Sequence, residues 1–220
     1  MNQTNRWILR LATLFYCVYM LFFADTYHFM ALNVFLAYIP LEISFHLNRL
    51  RKRGFVLASV LWLLFYPNAP YLFTDFFHLE NLSIYHGMNQ LFGQSLSDWG
   101  AFALLAIGIC VYGFLGMSTI YTVLFEAEGR RLFTKKWQGF MLFLMINVLS
   151  SLAIFVGRFD RLHSVHLFTQ PIKTVQTIFF SWSMDKGIYI AIFTGLQIVL
   201  LFAVNFMMKM GPVGSDEKSY

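Results

Sequence analysis

Trp99-Gly-Ala-Phe-Ala-Leu-Leu-Ala-Ile-Gly-Ile-Cys-Val-Tyr-Gly-Phe-Leu-Gly-Met-Ser-Thr-Ile-Tyr-Thr-Val-Leu-Phe125 runs without one charged residue. A helix needs about 20 mostly apolar residues to cross the hydrocarbon core of a bilayer. This stretch is longer than that, so lipid is its natural solvent. Five further stretches are of similar character: Trp7–Ala24, Phe29–Leu47, Phe55–Phe73, Gln138–Gly157 and Gly187–Met208. The expected architecture is an all-α integral membrane domain over residues 1–208, with six transmembrane helices and a tail at 209–220. Only Thr74–Asp98 and Arg158–Lys186 make long connections, and neither holds a soluble domain.

Composition agrees. Of 220 residues, 58% are hydrophobic, 19% aromatic and only 12% charged, against about 25% charged in a soluble domain. So few charges cannot cover a soluble surface, and so much hydrophobicity excludes disorder. Cys17 and Cys110 alone exclude a disulfide scaffold and a cysteine-based zinc site. The first span follows Arg6 and Arg10 as a signal peptide would. It ends Phe22-Phe23-Ala24-Asp25, which offers no small-residue cleavage site. It reads as a retained anchor.

Lys and Arg set the orientation. Arg49, Arg51, Lys52 and Arg53 follow the second span, and Arg130, Arg131, Lys135 and Lys136 follow the fourth. With Arg6, Arg10, Lys209 and Lys218, twelve of the sixteen basic residues fall on one side. That side is expected to be the cytoplasm, with both termini in it, in a multi-pass protein of the cell membrane. The net charge of +5 then follows from topology and contact with anionic lipid, and nucleic acid is not an expected partner.

The densest motif closes the third span: Tyr66-Pro67-Asn68-Ala69-Pro70-Tyr71-Leu72-Phe73-Thr74-Asp75-Phe76-Phe77-His78-Leu79. Proline removes a backbone donor and clashes with the preceding turn, so the third helix is expected to break at Pro67/Pro70. Pro70 can start a new helix, with Asn68 or Ala69 near its cap. In an α-helix Tyr71, Asp75 and His78 share a face, and Leu72, Phe76 and Leu79 turn elsewhere. Asp75 and His78 at the outer interface are candidate catalytic residues, with the carboxylate orienting the imidazole as a general base. They are equally candidate ligands of a divalent metal.

This motif resembles the signature of an uncharacterised bacterial membrane family, domain-of-unknown-function family 1361. The likeness lies in Pro67-Asn68-Ala69-Pro70-Tyr71, Thr74-Asp75 and His78-Leu79, and length and span pattern extend it over nearly the whole chain. A second family motif reads roughly Gly-Arg-Phe-x-Arg-x-Asn-Ser-Trp-Asp, with a proline soon after. Gly157, Arg158, Phe159, Arg161, Ser164 and Pro171 match it, while His163, Val165 and His166 replace its Asn, Trp and Asp. The resemblance implies the fold and no established activity.

Arg158 and Arg161, three apart, are candidate anion-binding residues, since the guanidinium fork matches phosphate or carboxylate. The bland alternative is two arginines whose heads snorkel to water. Asn68 and Tyr71 join them as candidate substrate-binding residues. His163 and His166 repeat the three-residue spacing, so Asp75, His78, His163 and His166 form a candidate metal set. Leu79–Trp99 and Ile172–Trp182 read as interfacial lids. Glu42 and His46, with Asn33 earlier in the same span, are polar within the second span, and a salt bridge from Glu42 to Arg49 or a hydrogen bond to His46 is the expected use. Gly100, Ala103, Ala106, Cys110, Gly113 and Gly116 form a small-residue stripe, expected in the bundle core or at a homo-oligomer contact. No Walker loop, Gly-x-Ser-x-Gly, Cys-x-x-Cys or His-Glu-x-x-His is present.

Three functions fit. One is a membrane-embedded enzyme whose outer-face site acts on an anionic or lipid-linked substrate. The second is a small transporter lined by Asn33, Glu42 and the broken third helix. The third is a non-catalytic assembly partner of envelope machinery. Convergence of Asp75, His78 and the outer arginines favours the first, and a cavity reaching Glu42 favours the second.

Overall fold

A computed structural model describes residues 2–82, 95–159 and 182–209. Among them every regular element is helical. The order is α1 (Gln3–Phe22), α2 (Phe29–Ser44), a 3-10 turn (Leu47–Arg49), α3 (Lys52–Phe65), α4 (Asn68–Tyr71), a 3-10 helix (Leu72–Asn81), α5 (Leu96–Ile107), a π-helical turn (Gly108–Tyr112), α6 (Gly113–Gly129), α7 (Lys136–Phe159) and α8 (Met184–Lys209). Side-chain caps open two of them. Asn2 accepts from the Asn5 amide at 2.9 Å and Ser95 from the Asp98 amide at 3.3 Å.

Five helical runs are long and apolar enough to cross a membrane: Phe29–Arg49, Lys52–Glu80, Leu96–Gly129, Lys136–Phe159 and Met184–Lys209. The helix α1, with Arg6 and Arg10 in its first half, falls outside that set. Half of the α2 run is buried, against 22% of α8, so α2 is central and α8 peripheral. Along α8, Ile188, Ile192, Val199, Phe202 and Phe206 are exposed, which is the outward face lipid requires.

The helices alternate between two ends, one carrying the basic clusters. At that basic end Arg10 of α1 forms an ion pair with Glu42 of α2. Tyr38 donates to the same carboxylate at 2.5 Å, and His46 lies 3.2 Å from it. The guanidinium that meets Glu42 is thus Arg10 and not the expected Arg49. Arg130 of α6 pairs with Glu126 and donates to the Leu47 and Leu50 carbonyls at 2.8 and 3.0 Å. The Leu47 carbonyl also accepts the Leu50 amide at 3.3 Å, so Arg130 adds a second donor there and fastens the end of α6 to the 3-10 turn after α2.

Of the small-residue stripe, Gly113 and Gly116 are buried in the bundle, Ala106 and Cys110 are half-buried, and Gly100 and Ala103 are exposed. A Cβ at Gly116 would lie 2.5 Å from the Ala69 Cβ and 3.1 Å from the Ala37 oxygen. Gly108, outside that stripe, is as tightly placed, since a Cβ there would run into the Tyr16 hydroxyl, the group that donates to the Leu104 carbonyl at 2.9 Å. Glycine lets α2, α4 and α6 meet backbone to backbone. Gly100 differs, since a Cβ there meets nothing within 4 Å.

Between α7 and α8 runs a buried polar seam at mid-helix. Gln197 donates to Ser151 at 2.7 Å, Thr194 to Ser151 at 3.0 Å, and Ser151 back to the Asn147 carbonyl at 3.0 Å. Tyr121 of α6 reaches the Leu201 carbonyl at 2.7 Å and joins α8 to the rest.

The Lys52–Glu80 run carries the proline motif. Neither Pro67 nor Pro70 can donate, so carbonyls one turn earlier lose their usual partners. The Tyr66 carbonyl accepts from the Ala69 amide instead, at 3.0 Å, and the Asn68 side chain fills the Phe65 carbonyl at 2.9 Å. Tyr66 (φ −51°, ψ −41°) and Pro67 (φ −59°, ψ −21°) keep right-handed helical angles. The regular α bonding is interrupted and the helical path continues. Beyond Tyr71 it tightens to a 3-10 helix, which changes the expected register. With three residues per turn, Leu72, Asp75 and His78 fall in one row. Leu72 is fully buried on that row and does not turn away from it.

Candidate functional site

The far end, opposite the basic clusters, gathers side chains from four elements around Asp75. The 3-10 helix drives this carboxylate into the bundle, where it is fully buried. A charge there costs several kcal/mol unless it is paired and hydrogen-bonded. Both oxygens have donors. The Asn33 amide of α2 donates to Oδ2 at 2.7 Å, and the Arg158 Nη1 of α7 to Oδ1 at 3.3 Å. The His78 Nε2 lies 3.8 Å from Oδ1, close enough for charge interaction and longer than a hydrogen bond.

Arg158 is held from several sides. Its Nη1 also donates to the Tyr71 hydroxyl at 3.1 Å, and its Nη2 to the Thr74 carbonyl at 3.0 Å. The guanidinium carbon stands 5.5 Å from the centre of the Tyr71 ring, a cation–π distance. Of its five N–H donors, three are engaged. One on Nη2 and that on Nε carry no bond to a described residue, and 24% of the side-chain surface remains exposed. The described residues therefore hold the guanidinium in one fixed orientation.

His78 is the accessible member, with 33% of its side chain exposed. Its ring centre lies 4.6 Å from that of Phe29, and its carbonyl accepts the Tyr27 hydroxyl at 2.8 Å. A carboxylate on one side and a phenylalanine on another restrict the imidazole. Such an arrangement can orient a base and hold an anion beside it.

The structure thus brings Asp75, His78, Tyr71 and Arg158 together. Asn68 stands apart, its amide spent on the Phe65 carbonyl. Arg161, His163 and His166 lie outside the described residues. Among those described, no group of three or more His, Cys, Asp or Glu residues is placed to hold a metal ion. Sequence reading missed Tyr27 and the Thr74 carbonyl, and it assigned Asn33 to a transport path. The signal for Asn33 was topological, since α2 begins at the end where the third span finishes.

Two segments far apart in sequence, the proline motif and the end of α7, therefore meet at one carboxylate. A family model described as "Protein of unknown function (DUF1361)" matches residues 32–200. The chain belongs to the DUF1361 family. The match takes in Asn33, the whole proline motif and Arg158. No curated protein matches the chain, and no solved structure does.

Proposed function

We propose that this DUF1361 protein is a membrane-embedded enzyme of the bacterial cell membrane, acting at the outer face on an anionic or lipid-linked substrate. Its topology is six spans, with α1 as the first and both termini cytoplasmic. The twelve-to-four division of basic residues supports this orientation, as does the clustering of Arg10, Arg49 and Arg130 at one end. In this reading the interruption at Pro67 and Pro70 sets the depth and register of the 3-10 helix that carries the site. The chain forms one domain over 1–208, with 209–220 as an inner tail.

One observation carries the proposal: Asp75, His78 and Arg158 converge, with two Arg158 N–H groups unbonded among the described residues. His78 acts as the general base, and Asp75 orients it and stabilises its protonated form. Arg158, with Tyr71 behind it, anchors the anionic group, and Arg161 three residues on adds a second cation. A divalent metal bound to Asp75 with His78, His163 and His166 finds less support. Both Asp75 oxygens are already bonded, and a metal there would sit against the Arg158 guanidinium. The transporter reading needs a path past Glu42, where Arg10, Tyr38 and His46 already occupy the carboxylate.

Lipid mass profiles test the proposal. Membranes from cells overproducing the parent, His78→Ala or Arg158→Ala are extracted and compared at equal protein level. The parent should alter at least one anionic or lipid-linked species that neither variant alters. Identical profiles for all three would remove the enzymatic reading.

A further inference from the structure

A cavity of about 220 Å³ lies between the end of α1, the turn joining it to α2, and the first turns of α5. Three of its walls are aromatic, from Tyr19, Phe23 and Tyr27. Asp25 is the one charged residue lining it, and Thr26 and Ser97 add hydroxyl groups. The Tyr19 and Phe23 rings stack with centres 6.1 Å apart. A water molecule's share of liquid is about 30 Å³, so the space suits a small organic group.

The wall is built and held. Tyr27 adopts φ 62°, a left-handed conformation that is costly for a bulky residue and persists only where its surroundings enforce it. Two contacts enforce it: the hydroxyl bond to the His78 carbonyl at 2.8 Å and an edge-on approach to the Phe29 ring at 6.0 Å. Burial pushes the Tyr27 phenol above its ordinary value, and the nearby Asp98 carboxylate adds to the effect. Asp25 of the turn lines the cavity, and among the described residues no Lys or Arg does. Such a field repels anions.

An aromatic-walled cavity beside a carboxylate recognises a cation whose charge is spread over an organic group, through ring faces and a charge-assisted contact. Its depth suits that ligand. Phe23 and Leu96 flank it and are exposed at 68% and 88%, as lipid-facing residues are. The cavity stands at the end of the bundle where the outer headgroups lie in the proposed topology. We propose that it binds an organic ammonium group of the ethanolamine or choline type, with Asp25 as its counter-charge and Tyr19, Phe23 and Tyr27 as its cage. This site is independent of the role given to His78, and its test reads binding alone.

The full chain is reconstituted for two measurements. In the first, nanodiscs of equal phosphatidylethanolamine and phosphatidylglycerol are released for native mass spectrometry, which reads the lipid retained. In the second, labelled ethanolamine and choline are titrated into protein in phosphatidylglycerol nanodiscs. Retention of phosphatidylethanolamine alone would identify a lipid headgroup as the source, and saturable binding of the labelled amine would identify a free one. In whichever arm binds, Asp25→Asn should weaken binding by at least about tenfold, the usual loss when a charge-assisted contact goes. Asp25→Glu should retain most of it. Asp25 is exposed, so neither variant threatens the fold. No preference in the first arm with no binding in the second, or an Asp25→Asn variant equal to the parent, would overturn the proposal.

Discussion

Removing the Asp75 carboxylate should reveal how strongly the 3-10 helix and the end of α7 hold each other. Asp75→Ala strips an acceptor from the Asn33 amide and from Arg158. Arg158→Ala leaves a fully buried carboxylate with one hydrogen bond, from Asn33. Breaking a fully buried pair costs about 3–5 kcal/mol, and an exposed pair is worth about 0–1 kcal/mol. Here one partner is fully buried and the other keeps 24% of its surface in contact with solvent. The coupling between the two positions should therefore fall between these limits, at about 2 kcal/mol. Equilibrium unfolding in mixed micelles on the parent, both single variants and the double variant gives the cycle. The double variant should lose less stability than the two single losses combined, by that amount. Singles that add to the double value within about 0.5 kcal/mol, as distant sites do, would refute the idea that this pair ties α7 to the 3-10 helix.

With Cys17 and Cys110 replaced by serine, Thr26→Cys should react with an impermeant thiol reagent on intact cells and Thr134→Cys should not; the reverse pattern would invert the topology. Gly116→Val should cost about 1–3 kcal/mol of stability through overpacking, because its Cβ would stand 2.5 Å from that of Ala69. Gly100→Val, where nothing lies within 4 Å, should change stability by less than about 0.5 kcal/mol.

Membrane class and helix positions were legible because both rest on summed hydropathy, which local packing does not alter. Trp99–Phe125 was marked as one span, and Leu96–Gly129 is one helical run. The first span was less legible. Arg6 and Arg10 lower its mean hydropathy, and nothing local says that Glu42, 32 residues further on, balances one of those charges. At the site, Asp75, His78, Tyr71 and Arg158 were marked by residue type and by the prolines. The row of Leu72, Asp75 and His78 was not, because the passage from α to 3-10 geometry depends on bonds that Pro67 and Pro70 withhold and on packing around Leu72. The place of Asn68 has the same origin. Its side chain repairs a carbonyl that the prolines leave exposed, a local need that resembles a functional asparagine when only the sequence is seen. The seam between α7 and α8 passed unnoticed, although Asn147, Ser150 and Ser151 recur at helical spacing within an apolar span.

That seam bears on how the protein is made. In lipid, apolar side chains give two helices no reason to prefer each other over acyl chains, and polar contacts with close packing supply the preference. Thr194 and Gln197 of α8 are buried against Asn147 and Ser151 of α7, so α8 inserted alone would lose the partners of that hydroxyl and amide to hydrocarbon. The two helices are thus matched halves of a hairpin, suited to leave the translocation machinery as a pair. A chain severed between residues 160 and 183 and expressed as two fragments should find its own partner in the bilayer.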